Sequence, residues 1–176
     1  MHATQVEAVP LCVSAFQGRL LVGMGRVLRL YDLGMKQLLR KCESSPLPVA
    51  VARLATCGDR IFAGDVAESV LFMRYKKQEN HLCIFAEDDV PRFISNLCAL
   101  DYDTVAASDK FGNFMILRVP EDVDDGIDTS ASRRSLWDAS KRAKVSLEAL
   151  FYVGDTITCI KKSALSAGGK EGLLAA

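Results

Sequence analysis

FQGRLLVGMGRVLRLYDLGMKQLLRKC, residues 16–42, holds short apolar runs separated by glycine turns. Leu20-Leu21-Val22 and Val27-Leu28-Arg29-Leu30-Tyr31 flank Gly23-Met24-Gly25, and Gln37-Leu38-Leu39 follows a second turn at Asp32-Leu33-Gly34. Short apolar strands punctuated by glycine describe an antiparallel meander. The same pattern is then written again. Gly18 precedes Arg19–Gly23, Asp59 precedes Arg60–Gly64 and Asp103 precedes Thr104–Ser108, at intervals of 41 and 44 residues.

Each copy continues through a turn into a longer apolar strand: Val27–Tyr31, Ser69–Tyr75 and Phe114–Val119. Each is also preceded by an apolar run: Pro10–Phe16, Val49–Thr56 and Phe93–Leu100. A fourth strand, Gln37–Cys42 or His81–Glu87, closes the first two copies. Four strands per ~40–45 residues is the period of a β-propeller blade. The expected fold is therefore all-β: a WD40-like propeller fragment of three to four blades with one long loop insertion. The expected division is a first blade at 1–43, a second at 44–88, a third at 89–153 with an insertion at 120–143, and the start of a fourth at 154–176.

The insertion reads PEDVDDGIDTSASRRSLWDASKRA, acidic first, then Ser-rich, then basic. It predicts a long surface loop, with a helical turn near Ser135–Lys141 and a docking segment around Leu136 and Trp137 as the alternative to a solvated loop. The strand resumes at Val145–Tyr152, and Thr156–Leu165 opens the next blade, whose aligned strand is Glu171–Ala175. Propellers close with four to eight blades. An arc of three-plus blades leaves strand edges bare, so the chain is expected to belong to a larger protein and to aggregate on its own.

The chain has 176 residues, 49% hydrophobic and 25% charged, with 22 Lys+Arg against 22 Asp+Glu. This balance lends no support to a nucleic-acid or membrane surface as main partner. No run approaches the ~18 apolar residues of a membrane span, and residues 1–10 do not read as a signal peptide. The six cysteines, at 12, 42, 57, 83, 98 and 159, have no zinc spacing. They read as buried reduced thiols, which places the chain in cytosol or nucleus.

Catalytic patterns are lacking. Gly23-Met24-Gly25 has neither the third glycine nor the following helix of a phosphate loop, and His2 and His81 lack ligand partners at metal spacing. No cofactor, metal or catalytic residue is expected. Arg74-Tyr75-Lys76-Lys77 is a small basic turn, read as a solvated strand end before a peripheral RNA contact. The remaining function is surface. Loops between second and third strands open on the same propeller face as those between blades. They bring forward Asp65, Glu68, Pro91, Arg92, Phe93, Asp109, Lys110 and Asn113 as candidate partner-binding residues, with Arg92 and Phe93 of the types that dominate binding hot spots. Turn capping explains most of the acidic residues, and Phe93 equally reads as the first residue of a buried strand.

The runs at 16–43, DYDTVAASDKFGNFMILRVP at 101–120 and SLWD at 135–138 resemble the splicing factor 3b subunit 3 family, in order from about Val6 to Leu174. The resemblance implies part of a C-terminal propeller in a large scaffold without catalytic activity. It implies the SF3b complex of the U2 snRNP, branch-site recognition in pre-mRNA splicing and a nuclear location. The implied partners are a HEAT-repeat subunit, a small subunit and the scaffold's remaining propellers, with RNA contact at most peripheral and no membrane. Two related families, the propeller adaptor of cullin ubiquitin ligases and the cleavage and polyadenylation large subunit, supply the alternative. In the adaptor, the position resembling Phe93 is an aromatic, usually Trp, at the lip of a helix-accepting cleft. Ser44–Ala55, with prolines at 46 and 48, departs from the family pattern.

Overall fold

The computed structural model describes residues 3–44, 46–121, 123 and 142–176. The expected helical turn near 135–141 and the docking residues Leu136 and Trp137 lie outside the described residues. Within them the chain forms strands and no helix. Strands β1 (Pro10–Phe16), β2 (Arg19–Met24), β3 (Val27–Leu33) and β4 (Leu38–Glu43) pair in sequence order as one antiparallel sheet. The second sheet holds β5 (Val51–Cys57), β6 (Arg60–Asp65), β7 (Val70–Lys76) and β8 (His81–Glu87). The third joins β9 (Ile94–Ala99), β10 (Thr104–Asp109), β11 (Asn113–Arg118) and β13 (Ser146–Tyr152). A two-stranded sheet of β14 (Ile160–Ala164) and β15 (Glu171–Ala175) follows. This is an all-β propeller fragment, and the aligned strands of the repeat are β2, β6, β10 and β15.

Burial explains the arrangement. Strand alternation sends side chains to both faces of a sheet, and here both faces are apolar. Leu21, Leu28 and Leu30 of the first sheet pack against Ile61, Ala63, Leu71, Met73 and Leu82 of the second. The second sheet's other face, with Phe62, Val70 and Phe72, meets Ile94, Val105, Ala107, Met115 and Leu117 of the third. Ala106 turns the other way, to Ile157 and Ile160. Each fully buried Leu or Phe contributes about 1.5–3 kcal/mol, so a sheet owes its stability to its neighbours.

The innermost strands set the spacing. β1 lies against β5, β5 against β9 and β9 against β14. The aligned strands carry Gly23, Gly64 and Ser108 at corresponding positions, and at the two glycines the neighbouring sheet comes close. A Cβ on Gly23 would stand 2.5 Å from Cys12 Sγ and 3.1 Å from the Val51 carbonyl. On Gly64 it would stand 2.8 Å from Ile94 Cγ2 and 3.1 Å from Leu97 Cδ1. The Ser108 hydroxyl is accommodated by a 2.9 Å hydrogen bond with Ser95.

One feature departs from the sequence expectation of four-stranded units. The chain re-enters as β12 (Ala143–Lys144), which pairs in parallel with Ala86 and Glu87 on the outer edge of the second sheet before crossing to the third as β13. Glu87 draws it there. Its carboxylate accepts from Arg142 at 2.7 Å and Lys144 at 3.1 Å, and its carbonyl accepts from the Val145 N–H. Two residues of parallel pairing carry too little pattern to be legible in advance.

Burial raises the Cys12 and Cys42 thiols to about 11 and also raises Cys83. In the folded chain these three should resist alkylation by iodoacetamide at pH 8, while all six react in denaturant. Rapid native labelling of Cys83, the most buried, would contradict this packing. The close approach at Gly64 leads to a second expectation. Gly64→Ala should destabilise the chain by about 1–3 kcal/mol through overpacking, measured by urea unfolding, whereas Gly172→Ala, with nothing within 4 Å, should cost less than Gly64→Ala.

Candidate partner-binding rim

A belt of backbone hydrogen bonds ties the loops at one end of the sheets together. Leu47 N–H donates to the Arg26 carbonyl at 2.7 Å, and Arg26 Nε donates back to the Leu47 carbonyl at 2.8 Å. Val66 N–H donates to Ala50, and both Arg92 N–H and Phe93 N–H donate to the Glu68 carbonyl. Lys110 N–H donates to the Phe93 carbonyl at 3.2 Å. The turn of each sheet is thus bonded to the connection entering the next.

Two of the candidate carboxylates serve this belt from inside. Asp65 is fully buried. One oxygen accepts from Val49 and Ala50 N–H at 3.0 and 2.9 Å, the other from Ala67 and Glu68 N–H at 3.0 and 3.1 Å. Asp109 is nearly as buried and accepts from the Phe111 and Asn113 N–H groups, with Asn113 Nδ2 on its other oxygen at 2.6 Å. Asp65, Asp109 and Asn113 therefore shape loops, as Asx-type turn chemistry does.

Arg92 is likewise committed inward. Its Nε donates to Asp88 Oδ2 at 2.6 Å, beside the Ser69 hydroxyl at 2.7 Å. The Asp88 side chain is only 5% exposed. Substituting Arg92 with an acid would set two carboxylates together out of water, so Arg92 acts as a brace for the 88–93 loop.

That brace, with the Glu68 carbonyl, holds Phe93 at φ 50°. A bulky residue in the left-handed region costs about 1–3 kcal/mol and persists only where its surroundings over-determine it. The strained backbone presents the Phe93 ring to Phe111, edge to face at 5.6 Å and 87°. Lys110 Nζ lies 3.9 Å from the centroid of the Phe93 ring and 5.0 Å from that of Phe111. Phe111 is 58% exposed, and Val66, Val90 and Pro91 are exposed as well. Sequence reasoning passed over Phe111 and Val90. Each sits in a turn, where an apolar side chain that no strand buries is the signal that was available.

The opposite ends of the strands form a polar cleft of about 370 Å³ lined by Gln17, Asp59, Arg74 and residues 75–79. Asp59 lies 2.7 Å from Arg74 Nε and accepts from the Tyr102 hydroxyl. Burial raises the Asp59 carboxyl, but the Tyr102 and Arg74 bonds outweigh it and hold the group below its ordinary value. With Lys76 near Glu79 at 4.0 Å, the basic turn meets acidic neighbours. Among the described residues no group of three or more His, Cys, Asp or Glu side chains is placed to hold a metal ion.

The family model of the CPSF A subunit region matches residues 1–175. The chain belongs to this family. Among curated proteins, the relatives include splicing factor 3B subunit 3 of Danio rerio, 44% identical, and pre-mRNA-splicing factor RSE1 of Mycosarcoma maydis, 46% identical. Spliceosome-associated protein 130 A of Arabidopsis thaliana is 44% identical. Each match covers 99% of this chain and 15% of the relative. The chain thus spans about a seventh of the length of these relatives.

Asp65→Asn should destabilise the fold by about 2–4 kcal/mol in urea unfolding, because one acceptor oxygen becomes an NH2 group facing two backbone N–H donors. Glu68→Gln, three residues along and exposed, should stay within about 0.5 kcal/mol of the parent. Equal effects at the two positions would contradict the loop-fastening role of Asp65.

Proposed function

We propose that the chain is a non-catalytic scaffold segment of pre-mRNA splicing, within the SF3b complex, and that its rim of loops binds protein partners. The observation that carries this reading is the 40–46% identity to proteins named as splicing factors over nearly the whole chain. The rim supports it from the physical side. Exposed apolar groups at Val90, Pro91 and Phe111 are held on a hydrogen-bonded, braced belt, and preorganised aromatic surface is what interface hot spots are made of.

On this reading the blades divide at 1–43, 44–88, 89–153 and 154–176. Their partners are a HEAT-repeat subunit, a small subunit and further propellers of the same scaffold, and the site of action is the nucleus. Glu68, Pro91, Phe93 and Lys110 face partners, while Asp65, Arg92, Asp109 and Asn113 keep the loops in shape. The family description favours cleavage and polyadenylation as the second reading, but the relatives named for splicing carry more weight because they match residue by residue along the chain.

Tagged protein isolated from its own nuclear extract should bring down a HEAT-repeat splicing subunit, identified by mass spectrometry. Recovery of a cullin, or of cleavage factors without splicing subunits, would overturn the splicing assignment. A Val90→Asp, Phe111→Ala double variant should lower recovery roughly fivefold, the equivalent of about 1 kcal/mol, with an unchanged circular dichroism spectrum. Undiminished recovery would remove the rim from the interface.

A further inference from the structure

Lys110 differs from the other cations of the rim. Arg26 is bonded to a carbonyl and Arg92 to Asp88, whereas Lys110 is exposed and meets no carboxylate among the described residues. Its ammonium rests over two rings, one of them on a strained backbone and the other standing open to water. The rings restrain a side chain that otherwise samples many rotamers, so an incoming anion finds the charge already positioned beside apolar surface. Glu68 and Asp89, both exposed, lie on the neighbouring loops. They disfavour a run of acids and leave room for one.

We infer that Lys110, seated on Phe93 and Phe111, reads a single carboxylate that a protein partner presents beside an apolar side chain. The apolar group takes the open face of Phe111 with Val90 and Pro91, and the carboxylate pairs with Lys110. This rests on the rim being the partner-facing surface.

The test uses the full chain and two short fluorescein-labelled peptides in a Gly-Ser background, one with Phe beside Glu and the other with Phe beside Lys, read by fluorescence anisotropy. The chain should bind the Glu peptide about threefold more tightly, the size of one exposed ion pair, and the preference should shrink as salt rises. Lys110→Glu should reverse the preference, Lys110→Met should erase it, and Phe111→Ala should weaken both peptides. Circular dichroism confirms that each variant is folded. Equal affinity for both peptides, or a Glu preference that survives in Lys110→Glu, overturns the role of Lys110 while leaving the rim as a binding surface. Binding that ignores Phe111→Ala, or no binding of either peptide, overturns both.

Discussion

At Gly23 and Gly64 the second strand of one sheet comes so close to the innermost strand of the next that a Cβ would collide with Val51, or with Ile94 and Leu97, and at Gly23 also with Cys12 of its own sheet. That approach is what allows Leu21, Leu28 and Leu30 to reach Ile61 and Met73, and Phe62 to reach Val105 and Met115. Sheets apolar on both faces have no other way to leave water. Stacked in this way around their inner strands, they bring the turns at one end into a single row. The hydrogen-bonded belt from Arg26 to Lys110 is a consequence of that row, and so is the position of Phe93.

Charge is used inside this arrangement chiefly as bracing. Arg19 pairs with Asp32, Arg60 with Asp103, Arg74 with Asp59 and Arg29 with Glu7 and Glu43. Burial and the bonds to its two carboxylates act in opposite directions on Arg29, and the bonds win, raising its pKa. Arg60 is also sandwiched between the rings of Phe85 and Tyr102, with centroids at 4.2 and 4.5 Å. Arg60 with Asp103 fastens the second sheet to the third, whereas Arg19 with Asp32, Arg29 with Glu43 and Arg74 with Asp59 brace strands and turns within one sheet.

The all-β class and the strand repeat were legible because period-two burial and glycine turns are local signals. β2, β6 and β10 begin at 19, 60 and 104, each one residue past the turn marker read at 18, 59 and 103. The strap β12 was not legible, since a two-residue parallel pairing depends on Glu87 meeting Arg142 and Lys144 from 55 and 57 residues away. The rim was half legible. Its loops were foreseen from the repeat, but the division of labour within them was not. Asp65 and Glu68 look alike as acidic turn residues, and only depth separates a loop fastener from an exposed carboxylate. Arg92 looked like a hot-spot cation until Asp88 and Ser69 were found beneath it.

By itself the sequence determined the strand repeat, the small residues at its tight points and the family to which the chain belongs, because all three are written in local order and identity. Tertiary structure alone decided which charges are spent and which remain available. A guanidinium or carboxylate acquires its role from what folds against it, and for Arg60 and Glu87 those neighbours, Asp103 and Arg142, lie 43 and 55 residues away. It also decided that Phe93, Lys110 and Phe111 form one cluster. They meet at the end of the β9–β10 pair, where Asp109 stands opposite Ile94, and the strain at Phe93 is held by the Glu68 carbonyl of the neighbouring sheet.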